Sequence, residues 1–391
     1  MKTNFYFMSK RIPLFLILIL FSAACSKHTN EQAARKGDKV IALDIEQNDE
    51  VSIKDYFSHI EFIPLETDKR SVLGQNIKKW LIYKGNFYFL DHRQGGLIVV
   101  FDSKGKFIRT IDKKGQGPGE YSVLYDFSFN RFTGNLELMD ALCYIHIYDE
   151  SGDTLKETIR LPKGEQAIHF YTQLTPDIYV FFNKYREKNK LFFYSISKQE
   201  IISETYSDWP DYMNETPFGG QDTPFHILND TVCFYEYYSG DIFTIDAKTM
   251  ELQPRYQFDF GEHNFTISKI PENETMQFYL KFSFYVTEKY VTFFSPVDEN
   301  SNYYISRFYY KKKAKQVILD KRNKQYKIFN AFKEGFQCMP YYMDEEAMYA
   351  FVPPNRLDFV VKPEVLDEEN LLRYKSVQED SNPVIIKYYF K

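Results

Sequence analysis

Residues 80–115, WLIYKGNFYFLDHRQGGLIVVFDSKGKFIRTIDKKG, contain four apolar runs separated by short polar turns. The first run ends at the turn Lys84-Gly85-Asn86, and the loop HRQGG separates the second run, FYFLD, from the third. A glycine-containing turn at residues 103–106 then leads into the fourth run, FIRTID. Glycine and asparagine at such positions favour tight hairpins, so this stretch predicts one four-stranded antiparallel sheet.

The same pattern recurs along the chain. Five further copies occupy residues 127–162, 167–206, 224–258, 278–320 and 335–391. Helical periodicity interrupts the sixth copy at residues 363–377, after which NPVIIKYYFK resumes the strand pattern. Four-strand units that repeat every roughly 40 to 50 residues are typical of propeller blades. The sequence therefore predicts an all-β, six-bladed β-propeller of four-stranded antiparallel blades.

Residues 40–67 contain strand-like runs that lie outside the six copies. In a closed propeller, an N-terminal strand pairs beside the C-terminal strand and completes the last blade, which removes exposed sheet edges. We therefore predict a propeller domain over residues 40–391 that is closed by pairing of the N- and C-terminal strands.

The first 25 residues have the order of an export signal. Lys2, Lys10 and Arg11 precede an apolar run and the small residues that lead to Cys25. This order resembles a bacterial lipoprotein signal, although Ser22 stands where that motif prefers leucine. It predicts a signal peptide at residues 1–24, followed by a lipidated Cys25 and a flexible tether at residues 25–39. An ordinary cleavable signal with an incidental cysteine is the alternative.

The residue at the second position after Cys25 bears on localisation. It is Lys27 rather than aspartate, which by resemblance to lipoprotein sorting favours the outer membrane over retention in the inner membrane. We expect the membrane to be contacted through the lipid at Cys25, with the propeller in the periplasm or at the cell surface.

Charge and cysteine content exclude several classes of function. Removing residues 1–24 leaves 46 bases against 54 acids, a net charge of 46 − 54 = −8, so no nucleic-acid partner is expected. Cys143, Cys233 and Cys338 are widely spaced, which indicates neither a disulfide framework nor a zinc site. We expect no cofactor and no bound metal. A single divalent cation held by channel carboxylates is the open alternative.

Several short motifs resemble one family. They are IPLET at residues 63–67, the first blade, GQGPGEY at residues 115–121 and the final strand that begins NPV. Together with the lipoprotein signal, they resemble the six-bladed β-propeller lipoproteins of the Bacteroidetes, which are relatives of NHL-type propellers. The resemblance covers nearly the whole mature chain and implies an exported, membrane-anchored propeller. It implies no particular activity.

Polar loop residues are the candidate ligand-binding residues. In each blade, the loop between the second and third strands emerges on the same face as the connection to the next blade. The polar side chains of these loops, called the rim residues below, are Asp91, His92, Arg93, Glu120, Asp140, Asn183, Arg186, Glu236, Tyr238, Asn355 and Arg356. Propellers bind ligands in such funnels, whereas solvation by itself also explains polar loop tips.

The glycine-rich motif GQGPGEY does not fit a phosphate-binding loop. Pro118 interrupts the glycines, neither lysine nor a hydroxyl residue follows Gly119, and the next run, YSVLYDFSF, has the pattern of a strand. The motif is instead predicted to be a hinge between blades 1 and 2. Glu120 either fixes this turn or presents a carboxylate at the channel mouth.

Two classes of function remain after these exclusions. The first is a ligand-binding or protein-interaction scaffold in the cell envelope, with a small molecule, a glycan or an envelope protein as partner. The alternative is a hydrolase or lyase that acts on a glycan or ester with channel-mouth carboxylates and His92. The sequence contains no G-x-S-x-G motif, and an enzyme would require the rim residues to converge in one pocket.

Overall fold

The computed structural model describes residues 40–74, 77–161, 168, 170–183, 186, 188–206, 223–235, 241–265, 288–293, 298–337 and 340–391. These residues form six β-sheets, each of which contains four strands in the antiparallel order expected of a blade. The predicted six-bladed propeller is therefore confirmed.

The N-terminal segment contributes two strands and a short helix. They are β1 (Val40–Ala42), α1 (Ile53–Tyr56) and β2 (Phe57–Pro64). Ser52 caps α1 by accepting a hydrogen bond from the backbone N–H of Lys54, a common way to satisfy a free donor at a helix start.

Blades 1 to 3 follow in chain order. The strands of blade 1 are β3 (Ile77–Tyr83), β4 (Asn86–Asp91), β5 (Leu97–Phe101) and β6 (Phe107–Ile111). Those of blade 2 are β7 (Leu124–Phe129), β8 (Leu136–Asp140), β9 (Tyr144–Tyr148) and β10 (Leu155–Arg160). Those of blade 3 are β11 (Phe170–Gln173), β12 (Ile178–Phe182), β13 (Leu191–Ser195) and β14 (Glu200–Thr205).

Blades 4 to 6 complete the ring. The strands of blade 4 are β15 (Phe225–Leu228), β16 (Thr231–Tyr235), β17 (Asp241–Ile245) and β18 (Leu252–Asp259). Those of blade 5 are β19 (Thr292–Phe293), β20 (Asp298–Glu299), β21 (Tyr303–Tyr310), β22 (Lys313–Asp320) and β23 (Gln325–Phe329). Blade 6 combines β24 (Tyr342–Met343), β25 (Ala347–Val352) and β26 (Val384–Phe390) with β2 from the N-terminal segment.

The ring closes through blade 6, as predicted. Strand β26 lies between β25 and β2 and is antiparallel to both, with Ile386 opposite Phe62 on one side and Ala350 on the other. The side chain of Asn382, which begins the NPV motif, lies at this junction. It donates to the carbonyl oxygens of Glu66 and Ser71 and accepts from the N–H of Leu73.

Strand β1 has a different position from β2. It pairs in parallel with β18 as a fifth, outermost strand of blade 4, with Ile41 opposite Phe258. Residues 40–67 are thus divided between two blades, and only β2 takes part in ring closure.

The predicted helix lies in the loop between the second and third strands of blade 6. A 3₁₀ turn at Pro363–Val365 precedes α2 (Glu368–Ser376), whose first turn is capped by Asp367. Asn370 connects α2 to β2, because its side-chain oxygen accepts a hydrogen bond from the N–H of Phe62 at 2.8 Å. None of the helices in the described part of the chain is long and apolar enough to cross a membrane.

Aromatic and branched side chains fill the interfaces between blades. Fully buried aromatic side chains include those of Phe62, Phe89, Phe127, Phe193 and Tyr304. Their burial fits the high aromatic content of the sequence. Cys143 and Cys233 are buried and form no disulfide, as expected from their spacing. Cys338 lies outside the described residues.

Candidate functional site

A cavity of about 380 Å³ lies at the centre of the ring. Strands from all six blades line it, namely β3, β7, β11, β15, β20 and β24. A volume of this size is within the range of about 300 to 1,000 Å³ that small-molecule sites occupy. The cavity is therefore large enough to accommodate a small ligand.

Aromatic side chains make up much of the cavity wall. They are Trp80, Tyr83, Tyr125, Phe129, Phe170, Tyr171, Phe225, Tyr341 and Tyr342. Trp80 packs against Tyr341 with the ring centroids 5.2 Å apart, and Tyr83 stacks on Phe129 at 3.8 Å. Such packing between side chains of neighbouring blades holds the rings in fixed positions, which lowers the entropy cost of binding a ligand.

Two adjacent lysines enter the cavity wall from blade 1. A β-bulge between Ile77 and Lys79 interrupts the regular alternation of β3, and Lys78 and Lys79 both line the cavity. The ammonium group of Lys79 lies 2.7 Å from Oδ1 of Asp126. The ammonium group of Lys78 lies 4.6 Å from the centre of the Tyr125 ring, and burial lowers its pKa.

A buried ion-pair cluster joins blades 4 and 5 on the other side of the ring. Glu299, on β20, has a fully buried side chain. Its Oε1 lies 2.9 Å from Nε2 of His226, and its Oε2 accepts hydrogen bonds from Arg255 at 3.0 Å and from Lys321. Glu299 and His226 line the cavity, so this cluster forms part of its wall.

The pKa values of this cluster reflect competition between burial and charge. Burial would raise the pKa of Glu299, but the hydrogen bond from His226 and the charges of His226, Lys321 and Arg255 lower it to about 2. Burial would likewise lower the pKa of His226, whereas its contacts with Cys233 and Glu299 raise it to about 9. At neutral pH the pair is therefore a carboxylate and an imidazolium.

One group of side chains in the described residues has the composition of a metal-ligand set. A ring nitrogen of His226, Sγ of Cys233 and a carboxylate oxygen of Glu299 lie within 4.8 Å of one another. However, Arg255 and Lys321 already pair with this carboxylate, and a divalent cation would be added beside two positive charges. The arrangement fits an ion-pair cluster better than a metal centre.

The rim residues of blade 1 fasten loops together. Asp91 is buried, and its carboxylate accepts from the N–H of Gly74 at 2.6 Å and pairs with Arg93 at 2.6 Å. His92 contacts the carbonyl oxygen of Leu124 at 3.1 Å through Nε2. Gly74 precedes blade 1 and Leu124 begins blade 2, so this loop contacts the chain on both sides of blade 1.

Glu120 and Asp140 also bind backbone. Oε2 of Glu120 accepts from the N–H of Gly117 at 2.7 Å, so Glu120 ties the GQGPGEY turn. Oδ1 of Asp140 accepts from the N–H groups of Leu142 and Tyr144, and its other oxygen lies 3.5 Å from Nε2 of His146.

The other rim residues are dispersed. Asn183 is buried, whereas Arg186 donates to Glu204 and to the carbonyl oxygen of Asn189. Asn355 and Arg356 are exposed in a 3₁₀ helix of blade 6, and Glu236 and Tyr238 lie outside the described residues. None of the nine described rim residues belongs to the cavity wall.

Sequence reasoning missed the charged residues that do line the cavity. Lys78 and Lys79 lie just before the first copy of the repeat, and neither they nor His226 and Glu299 were singled out. The two consecutive lysines beside Trp80 could have indicated the cavity wall. Charged side chains are rarely buried, so lysines on an inner strand of a propeller are expected to face the channel.

Comparison with solved structures supports the propeller fold. A crystal structure described as a "Putative exported protein" from Bacteroides fragilis NCTC 9343 is 16% identical, with a TM-score of 0.72, and the match covers 90% of this chain and 99% of that one. The WD40 domain of Neurospora crassa Pan2 is 11% identical, with a TM-score of 0.38 and coverage of 71% and 69%. At 16% identity the likeness to the Bacteroides fragilis structure concerns the fold alone, and the support for the propeller comes from that structure and not from the Pan2 domain.

No curated protein matches the sequence. A family model described as a domain of unknown function, DUF4934, matches residues 39–389, which include all six blades and both strands of the N-terminal segment. The chain therefore belongs to the DUF4934 family.

Proposed function

We propose that this protein is a ligand-binding propeller of the cell envelope whose site is the central cavity. The observation that carries the proposal is the wall itself, because six blades contribute side chains, among them aromatic rings and charged groups, to one cavity of about 380 Å³. Aromatic side chains with polar groups placed among them are typical of small-molecule sites.

The location in the cell envelope is part of the proposal. Its support is the lipoprotein-like order of residues 1–25 and the description of the Bacteroides fragilis structure as an exported protein. We propose an outer-membrane lipoprotein that is anchored through Cys25. Metabolic labelling with a fatty-acid analogue should label the full chain but not a Cys25→Ala variant, and equal labelling of both would refute the anchor.

Binding is favoured over hydrolysis by the contacts of the predicted catalytic groups. His92 and Asp140 contact backbone groups, and Asp91 pairs with Arg93. Cys233, the nucleophile nearest to the cavity histidine, has 0% exposure. Neither these rim residues nor Cys233 presents a free nucleophile or base to a substrate in the cavity.

A cavity-filling substitution tests the location of the site. Ile227 lines the cavity and is 45% exposed, whereas Ile108, on β6 of blade 1, is 46% exposed and does not line it. The full chain, purified in detergent, would be screened against metabolites and glycans, and the binders measured again with Ile227→Trp and Ile108→Trp. We expect only Ile227→Trp to abolish binding. Equal affinities in the two variants would place the site elsewhere.

A further inference from the structure

We infer that the ligand of the central cavity is an organic anion, namely a carboxylate carried on a ring of the size of a monosaccharide or a single aromatic ring. This inference rests on the proposed function, because it assigns a chemical class to the same site. It is drawn from the distribution of charge in the cavity wall and from the contacts of Lys78.

The cavity has a surplus of positive charge although the chain as a whole is acidic. The whole sequence contains 49 lysines and arginines against 54 acids. Among the described residues of the wall and its ion-pair partners, two carboxylates, Asp126 and Glu299, face five basic side chains. These are Lys78, Lys79, His226, Arg255 and Lys321. Such a concentration of positive charge around a cavity favours an anion.

The basic residues stand on opposing walls. Lys78 and Lys79 belong to blade 1, whereas His226 belongs to blade 4, and these two blades face each other in a ring of six. A carboxylate in the cavity would be attracted from the lysine side, whereas the charge of His226 on the opposite side is offset by Glu299. The attraction for a negative charge is therefore strongest beside the lysines of blade 1.

Lys78 is the best placed group to bind the carboxylate. Lys79 already pairs with Asp126 at 2.7 Å. The basic residues of blades 4 and 5 already pair with Glu299; they are His226, Arg255 and Lys321. Within the described part of the chain, by contrast, no carboxylate lies at ion-pair distance from Lys78, which contacts the ring of Tyr125. A bound carboxylate would supply the missing anion and compensate for the burial of this ammonium group.

The rest of the wall suits a ring. Tyr125, Tyr171, Tyr341 and Tyr342 present aromatic surface, and Thr172 and Thr223 add hydroxyl groups. Sugar rings and aromatic rings both pack on such a surface. The carboxylate could therefore belong to a sugar acid or to an aromatic acid, and the experiment below distinguishes the two.

The test uses pairs of compounds that differ in the carboxylate alone. Glucuronate is compared with glucose, and 4-hydroxybenzoate with 4-hydroxybenzyl alcohol, by calorimetry on the full chain in detergent. We expect the acid of at least one pair to bind at least about tenfold more tightly than its neutral partner, as for the loss of a charged hydrogen bond. The pair that binds identifies the sugar or the aromatic source.

Lys78→Gln tests the assigned residue, and Lys104→Gln, in an exposed turn of the same blade, is the matched control. Lys78→Gln should weaken the acid about tenfold and leave the neutral compound unchanged, whereas Lys104→Gln should change neither. Equal affinity of acid and neutral compounds, or binding of neither pair, would overturn the anion assignment. If the Ile227→Trp variant loses all binding, the cavity is still supported as the site. If this variant binds as tightly as the parent chain, the proposed function itself is overturned.

Discussion

Nε2 of His226 in blade 4 lies 2.9 Å from Oε1 of Glu299 in blade 5. The Glu299 side chain is fully buried, and that of His226 is 16% exposed, so water screens this pair only weakly. Because the two residues belong to neighbouring blades, their interaction contributes to the stability of a blade interface as well as to the charge of the cavity.

This pair should make the stability of the fold depend on pH in the neutral to alkaline range. The pKa of His226 is raised from 6.5 to about 9 in the folded chain. The stabilisation is therefore complete below about pH 6.5 and is lost as the pH rises through about 9, a loss of about 3 kcal/mol in the free energy of unfolding. Urea unfolding at a series of pH values would measure it.

A His226→Gln variant should lose most of this dependence, because it removes the titrating group. The exposed His59 provides the control, since His59→Gln should unfold with the same pH profile as the parent chain. A parent curve that is flat between pH 6.5 and 9 would contradict the assignment of a protonated His226.

Asn382 should be essential for ring closure. Replacing it with alanine leaves the carbonyl oxygen of Ser71 and the N–H of Leu73 without these hydrogen bonds, and the carbonyl oxygen of Glu66 keeps only the one from the Ser71 hydroxyl. We expect Asn382→Ala to lower the free energy of unfolding by about 2 to 4 kcal/mol. Chemical unfolding would be compared with that of Asn355→Ala, which removes an exposed asparagine of the same blade and should cost less than about 0.5 kcal/mol.

Gly119 should accept a side chain less readily than Gly85. Its φ angle is +81°, and a Cβ atom there would lie 2.7 Å from Leu155 and 2.9 Å from the Tyr148 hydroxyl. Gly85 has a similar φ angle of +78°, but a Cβ atom would meet nothing within 4 Å. Gly119→Ala should therefore lower the free energy of unfolding by at least about 1 kcal/mol more than Gly85→Ala. Equal losses in thermal or urea unfolding would show that the GQGPGEY turn adjusts without cost.

Ligand binding should weaken in alkali at a lower pH than for an ordinary lysine site. Burial lowers the pKa of Lys78, so its positive charge is lost earlier as the pH rises, and an anion then loses its partner. The dissociation constant of the acid that binds should rise toward alkaline pH in the parent chain. The rise should be smaller in Lys78→Gln, where the loss of charge at His226 remains, and an equal rise in both would assign the effect to another group.

The repeat and its closure were predictable because both depend on local sequence. Turns such as Lys84-Gly85-Asn86 separate the strands, and residues 40–67 were left over from the six copies. The place of β1 was not predictable, since three residues that pair in parallel with β18 have no turn or period to mark them.

The site could not be predicted by the same means. Polar residues at strand ends have the same sequence pattern whether they bind a ligand or a backbone group. Asp140, for example, binds the backbone of its own loop. The charge of the cavity depends on the bulge that brings Lys78 and Lys79 to one wall and on residues as distant in sequence as His226 and Glu299. Such juxtapositions arise only when the ring has closed.

The position of β26 between β25 and β2 has a consequence for biogenesis. Of the described strands, β26 is the last to leave the ribosome. Until it arrives, β2 and β25 each retain an unpaired edge that can join another chain. The growing protein is therefore vulnerable to aggregation and proteolysis until β26 has been made, and this one late strand removes both edges at once.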